Sequence, residues 1–307
     1  MNLYEEDICG FLVTKTRKQI WATQLEMLKE FHSVCVKNNL KYFLTDGTLL
    51  GAVRHNGFIP WDDDIDVGME REDYLKFLDI FNSNFDTKKY SCISYKTEIL
   101  YPNGHAQIKN NYTTEFTTQD YENLKLNKKC GIFIDIFPFD KVVSSSEKSQ
   151  RKIKKYKQLC FAYIHQDSTS KVKTILKHIY LSLFCNNDKK CEKLINKIEV
   201  LAQENNQNDD AKLIGEITFT PTISETLFPA MWFKDVELHK FEDYEFYIPT
   251  QFDKILTKQF GNYLEYPKDL KNSNCHGECF FDFDNSYTKY KDISKSEFID
   301  LIKNYKY

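Results

Sequence analysis

The chain has 307 residues, 41% of them hydrophobic and 15% aromatic, a composition that indicates a folded globular protein and excludes wholesale disorder. With 42 basic and 45 acidic residues the formal net charge is −3, which gives no general reason to expect a nucleic-acid partner. Nine cysteines without a disulfide-like spacing indicate reduced thiols in a cytoplasmic protein. The acidic N-terminus and the lack of a long apolar run predict neither a signal peptide nor a membrane-spanning helix.

The first elements follow from the spacing of apolar residues. The spacing predicts a helix over residues 15–39 that ends at Asn38-Asn39, then a short strand over 40–45. A helix over 48–55 and a strand over 58–69 come next, set off by Asp-Gly and Asn-Gly turns. A further helix is predicted over 70–85.

The rest of the chain divides into three kinds of pattern. Strands are predicted over 90–95, 105–110 and 130–140, a charged helical pattern runs from 144 to about 206, and an aromatic-rich section begins near 227. We therefore predict an α/β (α+β) protein with a mixed sheet core and flanking helices. The predicted segments are a core over 1–143, a helical insertion over 144–215, and a C-terminal section over 216–307 that packs on the core.

An acidic cluster stands in the stretch FIPWDDDIDVGM, residues 58–69. Side chains alternate along a strand, so Asp62, Asp64 and Asp66 share one face and Asp63 belongs to the other. Carboxylates two residues apart suit a hard divalent cation such as Mg²⁺ or Mn²⁺, which also offsets their repulsion. A solvated acidic patch is the alternative, and the apolar flanks disfavour it.

A lone carboxylate stands among apolar residues in GIFIDIF, at Asp135. Burying it is costly unless it binds a metal or pairs with a buried Lys or Arg, and both explanations stay open. Three carboxylates contributed by two strands are what a two-metal phosphoryl-transfer site needs.

A Gly-Thr turn precedes a predicted helix in DGTLLGAVRH. The free N–H groups and the positive end of the helix dipole attract an anion, and Thr48 is expected to cap the helix and donate to a phosphate. Arg54 either reaches the same phosphate or pairs with an aspartate. Most such turns are ordinary caps, so the argument depends on the order of turn, helix, Asp-x-Asp strand and distant Asp strand.

The run LTDGTLLGAVRHNGFIPWDDDIDVGMEREDY resembles the signature of the LicD family, which includes the fukutin-related enzymes. GIFIDIFPFD resembles the second acidic strand of that family, and LFPAMWF, FEDYEFYIPTQFDKILTKQFGNYLEYP and CHGE resemble its closing segments. The resemblance covers most of the chain except about 144–215. It implies a nucleotidyltransferase-like fold and a phosphotransferase that moves a phospho-alcohol from a CDP-linked donor to a hydroxyl of a cell-surface glycan, releasing CMP.

The resemblance also implies roles for particular residues. Asp64, Asp66 and Asp135 would be catalytic and hold Mg²⁺ or Mn²⁺, with Asp62 a weaker candidate ligand. The residues implied to bind the donor phosphates are Gly47 and Thr48, with Arg54 as a further candidate. Asp63 is not expected to be catalytic.

The implied partners are a CDP-linked alcohol and a glycan acceptor, free or lipid-linked, in capsule or lipopolysaccharide biosynthesis. Phosphocholine, from CDP-choline, is the family default for the transferred group. Glycerol phosphate, ribitol phosphate and phosphoethanolamine are alternatives, as is nucleotide transfer from a nucleoside triphosphate with release of pyrophosphate. A non-catalytic glycan-binding or interaction protein with the same fold is a third hypothesis, which the complete set of acids disfavours.

A basic run followed by the apolar stretch KHIYLSLF raises the question of membrane contact. Its cations are Arg151, Lys152, Lys154, Lys155 and Lys157. Such a helix can hold a cytoplasmic enzyme peripherally at the anionic inner face of a membrane. A solvated helix face followed by a buried helix is the alternative.

Overall fold

The structure is a computed structural model that describes residues 1–98, 100–143, 147–164, 185–219, 227–267, 270 and 278–305. The α-helices in these ranges are α1 (Lys15–Lys37), α2 (Asp46–His55), α3 (Arg71–Asn84), α4 (Tyr121–Lys125), α5 (Glu147–Ile164), α6 (Asp188–Ala202), α7 (Phe252–Phe260) and α8 (Lys295–Lys303). Short 3₁₀ turns cover Gln203–Asn205, Ala230–Phe233 and Tyr287–Tyr290.

The strands form one central sheet and three separate two-stranded sheets. The central strands are β3 (Phe43–Leu44), β4 (Asp66–Glu70), β5 (Tyr90–Ile93), β6 (Ala106–Asn110), β8 (Phe133–Val142), β9 (Leu213–Gly215) and β10 (Leu227–Pro229). The paired strands outside it are β1 (Glu6–Ile8) with β2 (Phe11–Val13), β7 (Thr114–Thr117) with β13 (Cys279–Asp282), and β11 (Val236–Phe241) with β12 (Tyr244–Pro249).

The long strand β8 organises the central sheet. It runs parallel to β4, while β6 joins its first half and β9 its last three residues in antiparallel pairing. β3 pairs with β4, β5 pairs with β6, and β10 pairs with β9. Parallel and antiparallel neighbours therefore share one sheet, and the predicted mixed α+β fold is confirmed.

Helix α1 illustrates how local sequence sets an element. Thr14 caps its start by accepting a hydrogen bond from the Arg17 backbone N–H, and Asn38 caps its end. Asn39 then turns the chain with a φ of 54°, a left-handed conformation that asparagine tolerates well. The apolar side of the helix, which includes Trp21 and Phe31, is buried in the main core.

The predicted strand over 58–69 is wrong for its first eight residues, because only Asp66–Glu70 pairs with neighbouring strands. Side chains of α1 bind the backbone of the irregular part: Trp21 Nε1 donates to the Asp62 carbonyl at 2.8 Å, and Gln24 Nε2 to the Asp63 carbonyl at 2.8 Å. These carbonyls are satisfied without a partner strand. The predicted alternation nevertheless holds, since residues 62, 64 and 66 are half-buried whereas 63, 65 and 67 are buried.

The described part of the middle region contains α5 and α6, which pack on each other, as the helical prediction requires. Four of the predicted surface cations of α5 are exposed, but Lys157 is buried, so its assignment to the basic face is wrong. KHIYLSLF, at 177–184, lies outside the described residues. No helix among the described residues is both long and apolar enough to cross a membrane. The three-segment division stays a prediction.

Candidate functional site

Three polar side chains form a row across the middle of the central sheet. Asp66 on β4 lies directly opposite Asp135 on β8, and Asp135 lies directly opposite Gln107 on β6. Neighbouring strands are about 4.8 Å apart, so the register alone brings the two carboxylates side by side. The structure thus joins the two acidic motifs that are far apart in the sequence.

The carboxylate of Asp135 is held from one side. Gln107 Nε2 donates to its Oδ1 at 2.9 Å, and His105 Nε2 lies 3.0 Å from the same oxygen. His105 is buried against the rings of Phe137 and Phe219, so its position is fixed by packing. Both partners contact Oδ1, which leaves Oδ2 as the atom of Asp135 with more freedom to meet a ligand.

The Asp66 carboxyl group is enclosed in a cluster of acids. Burial raises the pKa of Asp66 well above its usual range, and the charges of Asp64, Asp46, Asp135 and Asp62 act in the same direction. Each of these charges disfavours the others, so the ionised cluster is unfavourable by itself. A bound cation would relieve that cost.

The Gly-Thr turn lies directly beside this cluster. A Cβ on Gly47 would stand 2.7 Å from Asp62 Oδ2, so any other residue here would require the Asp62 side chain to shift. The hydroxyl oxygen of Thr48 accepts a hydrogen bond from the Asp66 backbone N–H at 2.8 Å. The predicted helix-capping role of Thr48 is wrong, because α2 begins at Asp46 and Thr45 occupies the N-cap position.

Asp46 has a φ of 47°, a left-handed conformation that is uncommon outside glycine. Its carboxylate accepts hydrogen bonds from Gln259 Nε2 and, at 3.0 Å, from Thr45 Oγ1. These contacts, together with Glu216, hold an acid at the start of α2, where the sequence predicted only the Gly-Thr turn.

Glu216 follows β9 and completes the cluster. Burial raises the pKa of Glu216 well above its usual range, and the charge of Asp46, a hydrogen bond to Asp46 and the charge of Asp135 add to this effect. Glu216 therefore retains a proton more readily than an exposed glutamate does. Glu216 thus lies between the acid of the Gly-Thr turn and the acid of β8.

Arg54 and Asp63 lie apart from the cluster. Arg54 NH1 donates to the carbonyls of Tyr263 at 2.9 Å and Glu265 at 3.3 Å, and its guanidinium stacks over Trp61. Its phosphate contact stays a prediction. Asp63 is buried with Oδ2 4.0 Å from Arg17 NH1, which agrees with its expected position on the opposite face.

The carboxylate oxygens of this cluster are of the ligand type that Mg²⁺ and Mn²⁺ prefer, and their mutual repulsion fits a cation between them. No three His, Cys, Asp or Glu side chains in the part of the chain that the structure describes already converge as a ligand set. A cation would therefore require these side chains to rotate.

Sequence reasoning did not identify Asp46, His105, Gln107 or Glu216 as part of the site. Glu216 stands in the apolar run LIGEITF, the same pattern that singled out Asp135, so that criterion could have found it. His105 and Gln107 carry no comparable signal, because their position depends on the register of β6 against β8. Residues 275–277 of the CHGE segment lie outside the described residues.

Comparison with known proteins bears on the same segments. Residues 39–175 match the family model described as LicD/FKTN/FKRP, nucleotidyltransferase domain. Over 252 residues the chain is 27% identical to lipopolysaccharide cholinephosphotransferase LicD of Haemophilus influenzae, a match that covers 80% of this chain and 90% of that protein.

Two shorter matches involve other organisms. The chain is 51% identical over 55 residues to an uncharacterised protein of Rickettsia typhi, 18% of each chain. It is 53% identical over 34 residues to ribitol 5-phosphate transferase FKRP of Homo sapiens, which is 11% of this chain and 7% of that protein. The resemblance predicted from the sequence is thus confirmed: residues 39–175 carry a LicD-family domain, and the chain is a transferase.

Proposed function

We propose that this protein transfers a phospho-alcohol from a CDP-linked donor to a hydroxyl of a surface glycan and releases CMP. Phosphocholine is the first candidate group, because the relative matched over most of both chains is a lipopolysaccharide cholinephosphotransferase. Ribitol phosphate is the second, because FKRP shares the short, highly similar segment. The proposed location is the cytoplasm, with peripheral membrane contact through the exposed cations of α5.

One observation carries the proposal. Asp66 and Asp135 are register partners on parallel strands, and the turn at Gly47 and Thr48 contacts the same acidic cluster. Phosphoryl transfer needs little covalent participation from the enzyme and depends on positioning and charge stabilisation. An acidic cluster beside a phosphate-type turn can supply both.

A divalent cation is part of the proposal. Asp64, Asp66 and Asp135 would hold Mg²⁺ or Mn²⁺, with Asp62 as a further ligand. When bound, the ion would offset the repulsion within the cluster and stabilise negative charge on the donor phosphates.

The residues of the chain have separate tasks. The backbone N–H groups at Gly47 and Thr48 bind phosphate oxygens at the N-terminus of α2. Thr48 accepts a hydrogen bond from Asp66, so its own hydroxyl proton is available to a phosphate oxygen. Asp135 accepts the proton of the acceptor hydroxyl, with Gln107 and His105 holding its other oxygen in place. The hydroxyl oxygen then bonds to the phosphorus that carries the alcohol, and the bond to CMP breaks.

The test uses the purified full chain with Mg²⁺, a glycan acceptor from the producing cell surface, and CDP-choline, CDP-ribitol, CDP-glycerol or CDP-ethanolamine. CMP release that depends on both the acceptor and one of these donors is the expected result. The alternative reaction is tested in parallel with CTP. Pyrophosphate release with labelling of the glycan by the nucleotide would contradict the proposal.

A further inference from the structure

A cavity of about 360 Å³ opens beside the acidic cluster. Asp64 and Gln107 form the part of its wall nearest the site, and Phe161 of α5 lines another part. Neither Gly47 nor Thr48 is among the described residues that line it. The cavity and the proposed phosphate-binding turn are therefore formed by different residues beside the cluster.

Two enclosed polar atoms in this wall lack a hydrogen-bond partner among the described residues. The first is Gln24 Oε1. Gln24 Nε2 donates to the carbonyls of Asp63 at 2.8 Å and Phe133 at 3.2 Å, and both partners are acceptors, so the orientation of the amide is fixed. The amide oxygen is left as an unused acceptor, which is unusual for a buried group.

The second atom is the hydroxyl of Tyr101. It lies near the Asn103 side chain but makes no hydrogen bond of ordinary geometry within the described residues. Burial raises the pKa of Tyr101, and the nearby charge of Asp135 adds to the effect, so the hydroxyl stays neutral and keeps its proton. The cavity thus holds an unused donor as well as an unused acceptor.

The remaining wall suits a polyhydroxylated ligand. Phe133 and Phe161 offer aromatic faces on which the C–H side of a sugar ring can pack, and Asn103 and Asn123 offer amide groups. Charged residues of both signs also line it: three lysines, Lys109, Lys128 and Lys129, and five acids, Asp63, Asp64, Glu98, Glu115 and Asp120. This mixture favours neither a strongly anionic nor a purely cationic ligand.

We propose that this cavity binds the sugar residue of the acceptor, with the Tyr101 hydroxyl and Gln24 Oε1 hydrogen-bonded to sugar hydroxyls. The proposal rests on the proposed function. In an in-line displacement the attacking hydroxyl and the leaving CMP lie on opposite sides of the phosphorus. With the donor phosphates at Gly47 and Thr48, the cavity beside Asp64 and Gln107 is the candidate entry for the acceptor, and Gln107 in its wall donates to the Asp135 carboxylate.

The test is Tyr101→Phe, which removes one oxygen that no described residue requires and should leave folding intact. Its matched control is Tyr112→Phe, at an exposed tyrosine of the β6–β7 turn outside the cavity. Saturation-transfer difference NMR of the full chain without donor uses methyl glycosides of glucose, galactose and N-acetylglucosamine as probes. We expect contact signals that Tyr101→Phe weakens and Tyr112→Phe does not.

Steady-state kinetics supply a second measurement. Tyr101→Phe should raise the KM for the glycan acceptor about tenfold, the effect of losing one buried hydrogen bond, and leave the KM for the CDP-linked donor unchanged. Contact signals that are absent for every sugar, or equal in wild type and Tyr101→Phe, would overturn the assignment whatever the turnover assay gives. Loss of the signals on adding CDP-ribitol, or a rise only in donor KM, would show that the donor binds in the cavity instead of the acceptor sugar. Sugar binding without CMP release from any donor would contradict the proposed function but not sugar recognition by the cavity.

Discussion

Asp135 and Asp140, near opposite ends of β8, have different kinds of partner. At Asp140, Arg71 Nε and NH2 donate to the two carboxylate oxygens at 2.9 and 2.6 Å, and Arg71 NH1 donates to Glu199 at 2.8 Å. All three side chains are buried. At Asp135 the contacting side chains are instead Gln107 and His105, and the adjacent acids raise each other's cost of ionisation.

We interpret this difference as one between a structural ion-pair network and the proposed functional site. A buried carboxylate needs compensating charge or strong hydrogen bonds. Near Asp140 the compensating positive charge is Arg71 of α3. Its ion pairs with Asp140 and Glu199 join α3 and α6 to the sheet. Near Asp135 the proposed cation would offset the free-energy cost of ionising neighbouring acids. Perturbed acids of this kind are common in binding sites.

The largest expected effect concerns the structural end. Arg71→Met should lower the free energy of unfolding by about 3–5 kcal/mol, because Asp140 and Glu199 would remain buried without their cation. Urea denaturation measures this directly. Arg151→Met is the matched control, since Arg151 pairs with Glu147 at an exposed site and should change stability by less than about 1 kcal/mol. Equal effects of the two substitutions would refute the contrast.

The next effect concerns the functional end. Asp66→Asn and Asp135→Asn should each lower kcat by at least about 100-fold, because each removes charge at the proposed phosphoryl-transfer site. Neither should lower the metal-free melting temperature, since each relieves repulsion within the cluster. Asp243→Asn, at an exposed acid paired with Lys29, is the control for a lost charge outside the site. Wild-type kcat in either site variant would refute the assignment.

Metal addition should distinguish the two ends. Mg²⁺ or Mn²⁺ at about 100 times its dissociation constant should stabilise the wild type by about 2.7 kcal/mol, because the ion would bind only the folded protein. Differential scanning calorimetry would show this as a rise in melting temperature that Asp66→Asn reduces. Arg151→Met should retain the full rise. Equal rises in wild type and Asp66→Asn would exclude Asp66 as a ligand.

The smallest effect is a pH dependence at the structural end. Burial raises the pKa of Glu199 to about 7 from 4.5, an effect that Arg71 opposes. The folded state therefore binds more protons than the unfolded state between these values, so the stability from Glu199 falls as pH rises from 4.5 to about 7. Between these limits wild type should lose about 2.5 kcal/mol relative to Glu199→Gln, by urea denaturation. Parallel pH profiles for the two proteins would show that Glu199 does not titrate there.

The sequence was informative where local periodicity decides the outcome. The boundaries of α1 and α3 agree with prediction to within two residues, because apolar spacing and the Thr14 and Asn38 caps act within a few residues. The predicted alternation of Asp62, Asp64 and Asp66 against Asp63 also holds, although residues 62–64 precede β4, which begins at Asp66. The dense signature over 43–69 indicated the LicD family, which the comparisons confirm.

Contacts between residues far apart in the sequence were harder to predict from it. The sequence placed Lys157 on a basic surface, but its Nζ donates to the carbonyls of Asn103, Thr218 and Phe219 in the interior. Arg54 was a candidate for contact with a phosphate or an aspartate, which stays a prediction, and its hydrogen bonds to backbone carbonyls more than 200 positions away were not foreseen. A charged residue in a helical pattern gives no sign of which distant carbonyls will meet it.

By itself the sequence indicated the LicD family and the main helices, and it predicted Asp64, Asp66 and Asp135 as site acids. Only the tertiary structure decided that Asp66 and Asp135 are register partners and that Asp46, His105, Gln107 and Glu216 gather around them. The physical reason is that helix spacing and strand alternation are local properties of the chain. Strand register and the packing of loops onto the sheet depend on contacts between segments that lie far apart in sequence.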